Sequence, residues 1–91
     1  MREILKPNSI CCIGAGKRFI LEFPIAKSGD LILINGLQGS RVTLITERGG
    51  PRQNLTGPFG LSFIFTKGRW LPIAEEENFI TLEEEFFKRN H

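Results

Sequence analysis

The side chains of this 91-residue sequence that could make or break bonds are few and do not converge. Its two thiols, Cys11 and Cys12, are neighbours, and its single imidazole, His91, is the last residue. A cysteine nucleophile needs a base or a positive field to form its thiolate, and a terminal histidine far away in sequence is a poor candidate for either. Metal binding needs converging Cys, His and carboxylate ligands, which no spacing here supplies. Adjacent cysteines seldom bridge, because the S–S geometry strains the peptide between them, so both read as buried thiols. The carboxylates fall in consecutive runs, Glu75, Glu76, Glu77 and then Glu83, Glu84, Glu85. That is solvated charge, not two acids facing each other across a scissile bond. No catalytic residue, metal or cofactor is expected.

Gly14-Ala15-Gly16-Lys17 invites comparison with a phosphate loop. A Walker loop places another Gly before four intervening residues and a Ser or Thr after the Lys, where this chain has Cys11 and Arg18; the third glycine of a dinucleotide fingerprint would fall on Phe19. The stretch reads as a hairpin turn.

Charge is the remaining chemistry. The net +2 divides unevenly, with ten Lys/Arg against four Asp/Glu in residues 1–74 and two against six in residues 75–91. A basic body predicts an acidic neighbour, which could be nucleic acid or protein, and the acidic tail of another copy is one candidate. Lys17 and Arg18, with a candidate basic rim of Arg41, Arg48, Arg52, Lys67 and Arg69, fall at or near strand ends, where several could gather. Modules that stack bases expose aromatics, whereas the phenylalanines here alternate onto the apolar side of their strands. Nucleic-acid binding is therefore the alternative reading.

The elements that must hold these residues are short β-strands. Residues 18–23 and 41–47 alternate apolar and polar positions, as does 61–66, the clearest of all. Residues 30–35 contain four consecutive apolar side chains, Leu31, Ile32, Leu33 and Ile34, which predicts cover on both faces, in the middle of a sandwich or at a subunit contact. Residues 10–13 could form a first strand. Lys67-Gly68 fits a two-residue hairpin, and Pro72 puts the returning strand at an edge. Residues 48–58 read as the longest irregular segment, rich in Gly and Pro. Pro7-Asn8-Ser9 reads as a turn that leaves residues 1–9 as an arm, and residues 10–74 as the β-domain.

In the acidic tail, 75–91, Thr81 and Glu84 match a capping box, and a helix is expected from about 82 to 89. Phe79, Leu82, Phe86 and Phe87 would give it an apolar side, which with Leu31, Ile32, Leu33 and Ile34 forms a candidate partner interface. No internal repeat is expected, and no apolar run suggests membrane insertion or a secretion leader, so synthesis in a reducing cytoplasm is the expectation. The fold class is mainly β: a small antiparallel sandwich or jelly-roll-like domain with an N-terminal arm and a short C-terminal helix. Its core is drawn from Phe19, Leu21, Phe23, Leu31, Leu33, Val42, Leu44, Leu61, Phe63, Phe65 and Trp70.

The run of Gly29, Asp30, an apolar strand ending at Asn35, Val42 to Ile45, Gly57, Phe63 to Phe65, Gly68 and Trp70 resembles a recurrent β-domain of bacteriophage virion proteins, found in tail-fibre segments and capsid decoration proteins. The resemblance covers about half the chain and is carried by turn and core residues. It implies a non-enzymatic structural role in the virion, often as a homotrimer, with the major capsid protein or other virion proteins as partners and a host cytoplasm as the place of synthesis. The acidic tail departs from a fibre segment, which more often ends near the Trp strand, and so favours a capsid cement or decoration protein.

Overall fold

A computed structural model describes residues 1–73. The helix expected over 82–89, and Phe79, Leu82, Phe86 and Phe87 with it, lie outside the described residues. Eight strands form two sheets: β1 (Arg2–Ile4), β2 (Ser9–Ile13), β3 (Arg18–Glu22), β4 (Leu31–Gly36), β5 (Arg41–Ile45), β6 (Arg52–Thr56), β7 (Phe59–Thr66) and β8 (Arg69–Pro72). One sheet has the order β1-β3-β5-β6 and the other β2-β4-β7-β8. Among the described residues no helix is long and apolar enough to cross a membrane.

The mainly β expectation holds, but the sheets are mixed where an antiparallel sandwich was expected. β1, β3 and β5 run parallel to one another, as do β2 and β4, while β5–β6, β4–β7 and β7–β8 are antiparallel. The cause is the route of the chain. From β1 to β5 each successive strand crosses to the opposite sheet, so a strand meets its neighbour one full coil later, with the same direction. Parallel neighbours need a long connection, and here the connection passes through the facing sheet. Two hairpins, β5–β6 and β7–β8, then close the edges that the coil leaves open.

The coil carries a repeat that was not expected. Ser9 faces Ile32 and Phe19 faces Val42, a step of 23 residues in both cases. Gly16 and Gly39 stand one step apart, each with positive φ, in turns closed by Lys17 N–H to Gly14 O and Ser40 N–H to Leu37 O. Both are turns whose third residue must take the left-handed conformation, the reason for glycine. They stack: the Gly16 N–H donates to Gln38 O at 3.3 Å and the Arg41 N–H to Lys17 O at 2.8 Å. The Gly14–Lys17 segment is thus a corner between sheets, not a hairpin.

Two further expectations are corrected. Residues 1–9 are not a detached arm, because β1 pairs with β3 and Leu5 is buried in the core. Asn8, in the left-handed region, holds this segment down: its side chain bonds both Asp30 Oδ1 and the Leu31 N–H at 3.0 Å. The irregular stretch expected over 48–58 contains β6, whose Arg52–Thr56 is exposed along most of its length and so lacks the apolar alternation that marks a strand. An edge strand held by β5 alone can be polar on its free side.

The core lies between the sheets and holds Leu5, Ile13, Leu21, Ile32, Ile34, Val42, Leu44, Phe63 and Trp70, with Phe19, Phe23, Leu61 and Phe65 partly buried against it. Phe63 stacks edge-on against Phe23 at 4.8 Å, and Trp70 meets both Phe23 and Phe65. The Trp70 indole N–H donates to Pro24 O at 2.9 Å, which satisfies its one polar atom. Lys67 and Gly68 both have positive φ, as the expected two-residue hairpin requires.

Candidate functional site

The register places arginines from four segments on the outer face of the β1-β3-β5-β6 sheet. Leu21, Val42 and Leu44 point inward, so the residues between them point out. Across the strands, one outer row reads Arg18, Arg41, Thr56; the next reads Arg2, Ile20, Thr43, Asn54; the third reads Ile4, Glu22, Ile45, Arg52. The β5–β6 connection adds Arg48 beside the third row. Arg2 pairs with Glu22, and no other ion pair occurs among the described residues. Arg18, Arg41, Arg48 and Arg52 are thus without a carboxylate partner among them.

Two open clefts mark this face. One, of about 800 Å³, has Ile4, Pro24, Ile25 and Ile45 as its apolar lining and Arg2, Arg48 and Arg52 around it. The other, of about 490 Å³, lies between Arg18, Arg41, Thr43 and Asn54. Thr43 Oγ1 and Asn54 Oδ1 are 2.8 Å apart across the β5–β6 pair, a side-chain bond that ties the exposed edge strand to its neighbour. Arginine on a fixed sheet offers planar donors at low entropic cost, and suits carboxylate or phosphate groups better than flexible lysine does.

The expected rim is therefore split. Arg41, Arg48 and Arg52 share one face with Arg18, which the sequence also singled out, and the fold adds Arg2, whereas Lys67 and Arg69 sit at the β7–β8 hairpin of the other sheet. Arg2 was missed as a member because residues 1–9 read as an arm. Arg18 and Arg41 could have been paired from the repeat, since each follows the turn glycine by two residues, Gly16 and Gly39.

The expected interface strand is also corrected. Ile32 and Ile34 point into the core, while Leu31 and Leu33 are on the outer face of their sheet yet buried, in a small cluster with Ile64 and Ile73. All four are occupied within one chain, so this strand supplies no argument for self-association.

The cysteines differ from each other. Cys12 is exposed, against expectation, because it points away from the core on an edge strand; Cys11 points inward and is half-buried. Burial pushes the Cys11 thiol up, with smaller contributions from the nearby charges of Glu3 and Cys12. A thiol held protonated is a weak nucleophile. Iodoacetamide at neutral pH is expected to alkylate Cys12 well before Cys11, read by peptide mass; equal rates would show that β2 opens freely. Among the described residues no group of three or more His, Cys, Asp or Glu could hold a metal.

No family model and no curated protein matches the chain. Among solved structures, one described as "Structure of a chaperone-substrate complex" is similar at 16% identity and a TM-score of 0.53. The match covers 78% of this chain and only 13% of that chain. At this identity the likeness concerns the fold alone: a module of this shape is found there as a small part of a far longer protein.

Proposed function

We propose that this protein is a non-enzymatic virion component, a capsid cement or decoration protein, whose arginine face grips an acidic surface of a neighbouring shell protein. The observation that carries the binding part is the row structure of Arg2, Arg18, Arg41 and Arg52 on one sheet face. The virion part rests on the resemblance of the Gly29 to Trp70 block to phage β-domains. Trimeric self-association belongs to that resemblance too.

A second reading is favoured by the same arginines: a module that binds the phosphate backbone of nucleic acid. The rings of Phe23, Phe63, Phe65 and Trp70 are engaged with one another in the core and so provide no stacking platform for bases. Such binding would be electrostatic and indifferent to sequence.

The test uses the full chain and an Arg41→Glu/Arg52→Glu variant, with co-sedimentation on particles of the phage concerned and titration of duplex DNA. Reversing two surface charges that have no carboxylate partner among the described residues is expected to weaken particle attachment about 10- to 100-fold at low salt, and added salt should weaken the parent chain in the same direction. Attachment unchanged by the variant removes the arginine face from the binding role. DNA affinity that falls steeply with salt, with no attachment to particles, replaces the virion reading by the second one.

A further inference from the structure

We propose, resting on the reading of the arginine face as a binding surface, that the larger of its two clefts receives an acidic protein segment through one apolar side chain set among carboxylates. The partner is then a polypeptide and not a nucleic acid. Ile25 is 99% exposed and Ile4, on edge strand β1, 69%, and the two line this cleft together with Pro24 and Ile45. Single apolar side chains scattered over a surface are ordinary. Aliphatic groups gathered in one cleft and framed by guanidinium groups are different, because only an apolar partner group takes their surface out of water.

The charges around this floor do not cancel. Arg2 pairs with Glu22, which leaves Arg48 and Arg52 at the cleft with no carboxylate partner among the described residues. Glu47, the other acid nearby, lies against Gly50 and forms no ion pair there. A guanidinium beside aliphatic side chains holds a carboxylate more firmly than it would in open water, provided that an apolar group arriving with the carboxylate excludes solvent. A phosphate backbone would satisfy the arginines but leave Ile4 and Ile25 wet. The aromatic ring that lines the cleft, Phe23, is engaged edge-to-face with Phe63 and Trp70 and gives a base no free stacking platform.

The second cleft sets the length of the segment. Arg18 and Arg41 are direct register partners across β3 and β5 and carry like charge side by side, an arrangement that is unfavourable until an anion lies between them. Arg41 opens β5 and Ile45 closes it, which places the two clefts roughly 13 Å apart along the strand. A single small carboxylate cannot reach both. Four residues of extended chain can, and side chains at i and i+4 then fall on one side. The segment that fits has an apolar residue flanked by acids, with a further acid four positions along.

The experiment is NMR titration of the ¹⁵N-labelled full chain with the peptide Gly-Asp-Leu-Glu-Ser-Ser-Glu-Gly, with a second peptide in which Ser replaces Leu, and with a short duplex DNA. The leucine peptide is expected to bind about 10-fold more tightly than its equally charged counterpart, with amide shifts at Ile4, Ile25 and Ile45. An Ile4→Thr/Ile25→Thr variant, altered at exposed positions and checked by its urea midpoint, should lose most of that preference while still binding both peptides. Arg48→Gln/Arg52→Gln should weaken both. Equal binding of the two peptides to the parent chain, or a preference that survives in full in the Ile variant, overturns the proposal. DNA bound more tightly than the leucine peptide overturns it in favour of nucleic acid, and shifts at Ile4 and Ile25 that grow with the concentration of the chain alone overturn it in favour of a second copy. No binding of either peptide at millimolar concentration overturns it outright. Particle attachment of the Arg41→Glu/Arg52→Glu variant reports on the face separately: attachment lost there, with equal peptide binding here, removes the apolar cleft and leaves the binding surface standing.

Discussion

Replacing Phe63 by alanine is expected to remove about 3–5 kcal/mol of folding stability. The ring is 1% exposed at the centre of the sandwich, with Phe23 edge-on at 4.8 Å and Ile32 opposite it in the register. Its loss removes apolar burial and leaves a void between two sheets, each stiffened by its own ladder of hydrogen bonds, so the site can collapse only in part. A domain of this size has a net stability of roughly 5–10 kcal/mol, so the variant should lose a third or more of it. Urea unfolding would show a midpoint displaced by that share with little change in slope. A loss below about 1 kcal/mol would mean that the sheets close over the gap, contrary to the packing described.

The second large effect is expected at Gly57. Two crossings between the sheets meet there: the corner from β4 to β5, which contains Leu37 and Ser40, and the passage from β6 to β7. Ser40 is fully buried, its hydroxyl donating to Leu37 O at 2.6 Å and its carbonyl accepting from the Gly57 N–H at 2.8 Å. A Cβ on Gly57 would run into the Leu37 carbonyl and the Ser40 hydroxyl. The first of these is backbone, already fixed by its place in the stacked turns, and cannot swing aside as a side-chain tip could. Gly57→Ala is therefore expected to cost about 3 kcal/mol, the upper end of overpacking effects. Gly68→Ala serves as the contrast, because its Cβ would meet nothing within 4 Å and only the positive φ opposes it; about 1 kcal/mol is expected there. Equal losses in the two variants would show that the crossing at Gly57 yields.

Local pattern was sufficient for most strands of this protein. Period-two alternation marks β3, β5 and β7, the Lys67-Gly68 pair selects its hairpin through the positive φ of both residues, and the unbroken Leu31 to Ile34 run calls for cover on two sides. Those features depend on a residue and its near neighbours, so they are legible without a partner strand. What covers the run was not: the same apolar string suits a subunit contact and an inner strand, and only the register shows Ile32 and Ile34 in the core with Leu31 and Leu33 on the other side.

Pairing partners lie 18 to 23 residues apart in the coil, and hydrophobic alternation carries no information about which strand a given strand will join or in which direction. Hence the parallel pairs, the capture of residues 1–9 through β1, and the polar strand β6, recognisable only because β5 offers it an edge. The arginine face follows from the same cause. Arg2, Arg18, Arg41 and Arg52 are scattered over fifty residues of sequence, and their charge was evident there; their meeting on one surface was decided by strand pairing, in which the coil sets β1, β3 and β5 side by side and the β5–β6 hairpin adds Arg52.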